Sequence, residues 1–196
     1  MAKNPHYLSQ MAHVELLSTN KEETVKFYTD IIGMDITGVD KNSVYLRAWG
    51  DYFLYTLKVT QSDKKGLGQI GWRADSAEAL EDCVKHLETV GAGIGWVAKD
   101  LGRGKAYRFK SPDGHTHEVF WDVVWLRETG DRKSVYTDRY SANRRFAANP
   151  RRFDHVTYLV AKFQYAKEKI FWQGMGLKNP DEIRISDEIP PVGGLW

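Results

Sequence analysis

The sequence predicts an α+β fold built from paired βαβββ modules. Two observations within the chain and one long repeat carry that expectation. A strand, a capped helix and further strands follow one another over residues 12–60, and the same order begins again over 67–125. The strands show apolar residues at alternate positions, whereas the helices show them at a spacing near 3.6. A third start follows a linker: "FDHVTYLV" (153–160) repeats the design of "MAHVELLS" (11–18), and the two histidines lie 155 − 13 = 142 residues apart. The matching glycines, Gly33 and Gly176, lie 176 − 33 = 143 apart, so the long repeat is about one pair of modules.

Each element has its own signal. "AHVELLS" (12–18) reads as a strand, and "TNKEETVKFYTDIIG" (19–33) as a helix. Thr19 and Asn20 are both suited to the N-cap, with Glu22 and Glu23 three residues on, and Gly33 can close the other end. Val25, Tyr28, Ile31 and Ile32 form its apolar stripe. "SVYLRAW" and "YFLYTLKVT" flank "GD" (50–51) as a hairpin would. "LGQIGWRA" (67–74) reads as a strand, and "DSAEALEDCVKHLETVG" (75–91) as a helix capped by Asp75 with Glu78 in the box position. "GIGWVAKD", "GKAYRFKS" and "HTHEVFWDV" follow as three strands. "FQYAKEKIFWQGMGLKN" (163–179) repeats the first helix, and helices are expected at about 20–32 and 76–90.

Composition narrows the functional classes. A chain of 196 residues can form one large domain or two of about 100 residues each. With 42% hydrophobic and 13% aromatic residues it can bury a core. The net charge of +2, from 28 basic and 26 acidic residues, gives no broad attraction to nucleic acid or to an anionic membrane, so neither is an expected partner. The basic stretch "RRFAANPRR" (144–152) reads as a solvated linker. It divides the chain into an N-terminal domain of two modules, 1–145, and the incomplete start of a second domain, 146–196, whose tail "NPDEIRISDEIPPVGGLW" reads as irregular. The single cysteine, Cys83, excludes an intramolecular disulfide and a Cys-based zinc cluster, and its place on an apolar helix face suits a small buried hydrophobe. With no run of 18 apolar residues and no hydrophobic signal core, a cytoplasmic protein is expected.

"HVELLSTNKEETVKFYTDIIGM", "GLGQIGWRADSAEALEDCVKHLETVGAGIGWV", "GRGKAYRFKSPDGHTHEVFWDV" and "RRFDHVTYLV" together resemble the two-domain extradiol ring-cleavage dioxygenases, the catechol 2,3-dioxygenase type of the vicinal-oxygen-chelate superfamily. The likeness is good from about residue 10 to 160 and looser over 161–196. It implies the vicinal-oxygen-chelate fold, with one complete two-module domain and an incomplete third module. It implies ring cleavage of catechol or a substituted catechol at a non-haem Fe(II) centre, with a small aromatic diol and dioxygen as partners. In that family the second domain holds the iron, through a histidine on its first strand, a second histidine and a glutamate. The first of these corresponds to His155; the other two have no counterpart in these residues. A face of two histidines and one carboxylate leaves room on the metal for a bidentate catecholate and dioxygen together. With one ligand of three, this chain by itself is expected to be inactive on catechol. The shared "HV" context and the 142-residue offset from His13 place His155 on a strand, facing the concave side of its sheet as His13 does. Self-association into a homo-oligomer is expected through an open sheet edge and through Phe171, Trp172 and Leu177, left without barrel partners.

The first domain has its own equivalents of the ligand positions, His13, Gln69 and Glu118. Imidazole, amide oxygen and carboxylate all suit divalent metals, and single-domain glyoxalase-like relatives use such a set. Against that alternative stands a relic cavity whose polar groups are satisfied by hydrogen bonds, which is the preferred reading. A non-catalytic ligand-binding module is the third possibility. In "SPDGHTHEVFW" (111–121), His115 and His117 share one strand face and Glu118 takes the other, so the three cannot ligate one ion. His115 reads as a turn residue, His117 as outward-facing and His86 as a helix-edge residue. "GLGQIG" and "GAGIG" precede no helix and are not phosphate loops.

Overall fold

A computed structural model describes residues 5–135, 147–178, 181–183 and 192–194. The first module begins with β1 (Leu8–Ser18) and α1 (Lys21–Lys26), which continues as a π-helical turn over Phe27–Ile32. β2 (Asp35–Val39), β3 (Ser43–Arg47) and β4 (Leu57–Gln61) complete it. The second runs through β5 (Gly66–Ala74), α2 (Ala77–Thr89), β6 (Gly93–Val97), β7 (Ala106–Lys110) and β8 (Thr116–Phe120). All eight strands join one sheet in the order β2-β3-β4-β1-β5-β8-β7-β6. Within each module the last strand lies parallel to the first, β4 on β1 and β8 on β5, while β1 and β5 run antiparallel and join the two halves. The order is therefore a mirrored repeat, as the doubled sequence pattern requires.

Both helices cover one face of the sheet. Leu80, Cys83, Val84 and Leu87 form the stripe by which α2 packs on Ala74, Tyr107, Phe109 and Val119. Cys83 is fully buried there, and burial pushes its thiol up to about 12, so it behaves as the hydrophobe expected. In the first module Val25, Tyr28 and Ile32 pack on Met34, Val44, Leu46, Leu57 and Val59. Ile31, expected on that stripe, is 60% exposed. The Thr29 hydroxyl donates to the Val25 carbonyl (3.1 Å) beside the α-to-π transition, and the wider turn carries Ile31 off the buried face. Asn20 caps α1 by accepting from the Glu23 N–H, and Gly33 closes the π-turn at φ 85°, where a side chain would be strained.

Several local expectations are corrected. Ser76, not Asp75, caps α2: its hydroxyl accepts from the Ala79 N–H, while the Asp75 N–H is used by Tyr7 O. "GD" is not a two-residue hairpin turn. Asp51 instead organises a longer loop over 48–56, its Oδ2 accepting from the Ala48 N–H (2.9 Å) and the Thr56 hydroxyl (2.6 Å). The linker is not merely solvated over its described part. Ala148 and Asn149 donate to the carbonyls of Ile31 and Ile32, and Arg151 O accepts from Gly50 N–H. Residues 144–146 of that stretch lie outside the described residues.

Residues 152–160 form no strand. The segment carrying His155 is pinned by side chains instead of a ladder: Phe153 N–H donates to Asp51 Oδ1 (2.9 Å) and Ala161 N–H to Asp113 Oδ2 (3.2 Å). After it, α3 (Tyr165–Gly174) lies against the second module, where Trp172 and Met175 enter the core of α2 and Phe171 and Leu177 pack at its margin. These apolar residues are thus not left without partners, because the helix face of β5, β7 and β8 offers them a surface. In the tail expected to be irregular, β9 (Asp181–Ile183) and β10 (Val192–Gly194) pair antiparallel.

Candidate functional site

The face of the sheet that the helices leave uncovered carries a small apolar cluster, Ala12, Phe53, Ala106 and Phe120, and a polar row crossing four adjacent strands. His13 on β1 is in register with Gly71 on β5, Gly71 with Glu118 on β8, and Glu118 with Arg108 on β7. Gly71 makes room for the imidazole: a Cβ there would lie 2.2 Å from His13 Cε1. The ring is held between Tyr55 (centroids 4.9 Å apart) and a stacked Phe120 (5.6 Å). Its Nε2 donates to Glu118 Oε1 at 3.1 Å.

Glu118 is fully buried and takes more than this one donor. Arg103, in the loop between β6 and β7, binds it as a fork, Nε to Oε1 at 2.5 Å and Nη2 to Oε2 at 2.9 Å. The remaining guanidinium nitrogen, Nη1, donates to the carbonyls of Ala98 (3.0 Å) and Gly104 (2.9 Å). Arg108 Nε approaches Oε2 at 3.5 Å. Burial alone would raise the Glu118 carboxyl. The His13 hydrogen bond and the Arg103 charge outweigh it, so the group titrates below its ordinary range.

A second polar row covers the first module. Tyr45 Oη lies 2.7 Å from both Asp40 Oδ2 and Asp100 Oδ1, Lys58 Nζ donates to Asp100 Oδ2 (3.1 Å), and Thr60 donates to Glu15 Oε1 (2.6 Å). Burial and the two carboxylates push the Tyr45 phenol far above its usual value. Tyr55, between the rows, is buried, and its hydroxyl makes no hydrogen bond among the described residues.

The expected first-domain positions therefore converge only in part. His13 and Glu118 touch. Gln69 lies on the same face of β5, paired with Glu15 on β1, but its buried Nε2 makes no hydrogen bond among the described residues. Both Glu118 oxygens are taken by a cation that the protein itself supplies, so this donor set does not fit a metal as it stands. Among the described residues no group of three or more His, Cys, Asp and Glu side chains is placed to hold one. His155 stands apart, its side chain 57% exposed and its Nδ1 2.7 Å from Asp154 Oδ2. Among the described residues no three-ligand iron site is assembled.

Two histidines behave differently from their sequence reading. His117 does face away from Glu118 but is fully buried, because Trp172 (4.8 Å) and Tyr158 (6.0 Å) cover it from later in the chain. Trp72 Nε1 donates to its Nδ1 at 3.2 Å, and burial lowers its pKa to about 3. His115 is the expected turn residue but also a contact, 3.0 Å from Leu159 O and against the Tyr158 ring. Asp113 N–H donates to Glu168 Oε1 (2.7 Å), so the "SPDGHTH" corner is where the third segment docks. Arg103 has no sequence motif. Its one signal is its setting, "GRG", in which a Cβ on Gly102 would meet Tyr55 at 3.1 Å and one on Gly104 would meet Asp122 at 2.8 Å.

Two βαβββ units joined through antiparallel β1 and β5 define the vicinal-oxygen-chelate class of fold. The chain belongs to the Glyoxalase/Bleomycin resistance protein/Dioxygenase superfamily, whose family model matches residues 10–119. It is 44% identical over 154 residues to the metapyrocatechase of Geobacillus stearothermophilus, covering 79% of this chain and 47% of that one. It is 29% identical over 200 residues to the manganese-dependent 2,3-dihydroxybiphenyl 1,2-dioxygenase of Geobacillus genomosp. 3, covering 96% and 59%. The substrate complex of homoprotocatechuate 2,3-dioxygenase from Brevibacterium fuscum shares the fold at a TM-score of 0.79 and 20% identity, over 99% of this chain and 58% of that one. The chain spans about half the length of the curated relatives it matches. Among the described residues no helix is long and apolar enough to cross a membrane.

Proposed function

We propose that these residues form the first domain, and the opening of the second, of an extradiol ring-cleavage dioxygenase. Its substrate is catechol or a substituted catechol with dioxygen, its metal a non-haem Fe(II), and its working form a cytoplasmic homo-oligomer. The observation that carries the reading is the 44% identity to a metapyrocatechase over 154 residues. Residues 1–145 are the first domain and residues from 146 begin the next, a division supported by the 142-residue repeat between His13 and His155. His155 is assigned to the metal by family position, and its ligand partners would come from a second domain. What the described residues themselves do is structural: the Glu118 row locks β1, β5, β8 and β7 together, and the "SPDGHTH" corner fixes the approach of the segment bearing His155.

The test uses protein expressed from the full reading frame of the gene, loaded anaerobically with Fe(II) or Mn(II) and followed by the yellow ring-fission product. Turnover is expected, with His155→Ala abolishing both bound metal and activity and Glu118→Gln sparing the metal. Activity with Mn(II) alone would correct the metal while keeping the reaction. A reading frame that supplies no further histidine and glutamate ligands, or a metal-loaded protein that opens no catechol ring, overturns the proposal.

A further inference from the structure

The Glu118 pocket has the shape of a cation site with the cation built in. Its carboxylate and the His13 Nε2 meet at 3.1 Å, on one register row of the sheet with Gly71 between them. Gln69 presents a buried amide on the same face, with its Nε2 making no hydrogen bond among the described residues. Of the two guanidinium groups at the carboxylate, Arg103 spans both oxygens with hydrogen bonds, whereas Arg108 Nε stays 3.5 Å from Oε2. That side chain is held from behind as well as in front. Its backbone bridges Asp100 and Val123, and its Nη1 is tied to two carbonyls. A planar guanidinium is the residue chemistry best matched to a carboxylate fork, and it carries a permanent charge where a divalent ion would carry two.

We propose that Arg103, which makes both guanidinium hydrogen bonds to Glu118 while Arg108 stays at 3.5 Å, is the resident cation of this pocket, and that its side chain keeps His13, Glu118 and Gln69 from acting as a divalent-metal site. An imidazole nitrogen, a carboxylate and an amide oxygen are ordinary ligands for Mn(II), Co(II) or Zn(II) once the competing charge is gone. The inference concerns only the first domain and stands whether or not the whole protein cleaves catechols.

The experiment compares the 196-residue chain with its Arg103→Ala variant, using Mn(II) and Co(II) as probes. Retained metal after dialysis, the Mn(II) electron-paramagnetic-resonance signal and the visible spectrum of bound Co(II) are the readouts. Stoichiometric binding is expected in Arg103→Ala and not at this site in the parent. It should be lost again in Arg103→Ala/Glu118→Gln and reduced competitively by guanidinium ion, which refills the vacated space. Arg103→Lys keeps a charge in place and should bind no metal. If Arg103→Ala does not fold unaided, Mn(II) or guanidinium should restore its cooperative unfolding transition. A folded variant that takes up no metal, an unfolded one that neither cation restores, or a parent whose metal binding disappears on Glu118→Gln overturns the assignment.

Discussion

His13 and His155 open similar sequences, "AHV" and "DHV", and end in opposite situations. His13 lies on β1 between two partner strands, 2% exposed, its Nε2 on a buried carboxylate. His155 lies on a segment without a ladder, its imidazole largely exposed beside Asp154. The difference teaches that the local motif supplies an imidazole, and the neighbouring strands decide what it does. At His13, Gly71 supplies the space, Glu118 the charge partner and Phe120 the stacking face. Among the described residues, no strand stands beside His155 to supply such groups.

The largest effect that can break this comparison is at the charge partner. Glu118→Gln leaves Arg103 and His13 facing a neutral amide inside the protein, and removing one member of a buried ion pair costs about 3–5 kcal/mol. A free energy of unfolding in urea that falls by less than about 1 kcal/mol would mean that water reaches the pair and that the site is not the buried lock described.

Acidification is the next probe, and it acts on the opposite face of the same strand. His117 is held neutral, its pKa lowered to about 3 by burial and then by the nearby charge of His115. Between its ordinary value of 6.5 and about 3 the unfolded chain binds a proton there that the folded chain does not. Stability is therefore complete above 6.5 and falls with pH, by at most about 1.4 kcal/mol per unit from this group. Glu118 adds its own loss only below 4.5, since its folded value is depressed beneath that. His117→Phe should flatten the slope of stability between pH 6.5 and 4.5. An unchanged slope would assign it to other groups.

Gly71→Ala tests how His13 gains its place. The added methyl would meet the imidazole at 2.2 Å, and overpacking of this kind costs about 1–3 kcal/mol. In a His13→Ala background the same substitution should cost little, so a double-mutant cycle should show strong coupling. Additive effects would show that the methyl is resisted by something other than the ring.

Much of this was legible in the chain. The doubled strand–helix pattern gave the paired modules, the Asn20 and Gly33 signals gave the first helix its ends, and strand parity separated Glu118 from its histidine neighbours. What escaped depends on residues distant in sequence. His117 looked outward-facing because its cover, Tyr158 and Trp172, arrives from the third segment. "GD" looked like a hairpin because the Asp51 carboxylate bonds to both sides of its loop, which no dipeptide preference encodes. Arg103 belongs to no periodic element, and its role appears only when the loop after β6 folds back over β8.

The smallest expected effect sharpens the comparison most. His155→Ala in the 196-residue chain removes an exposed imidazole whose bond to Asp154 is itself solvent-screened. Surface substitutions of this kind usually change stability by no more than about 0.5 kcal/mol. Against the several kcal/mol expected at Glu118, the two "HV" histidines would then differ in energy as they do in burial. Urea unfolding is the measurement here, as it is for Glu118→Gln. A loss above about 1 kcal/mol on His155→Ala would show that the segment from 153 to 160 is held by the histidine, and the contrast with His13 would fail.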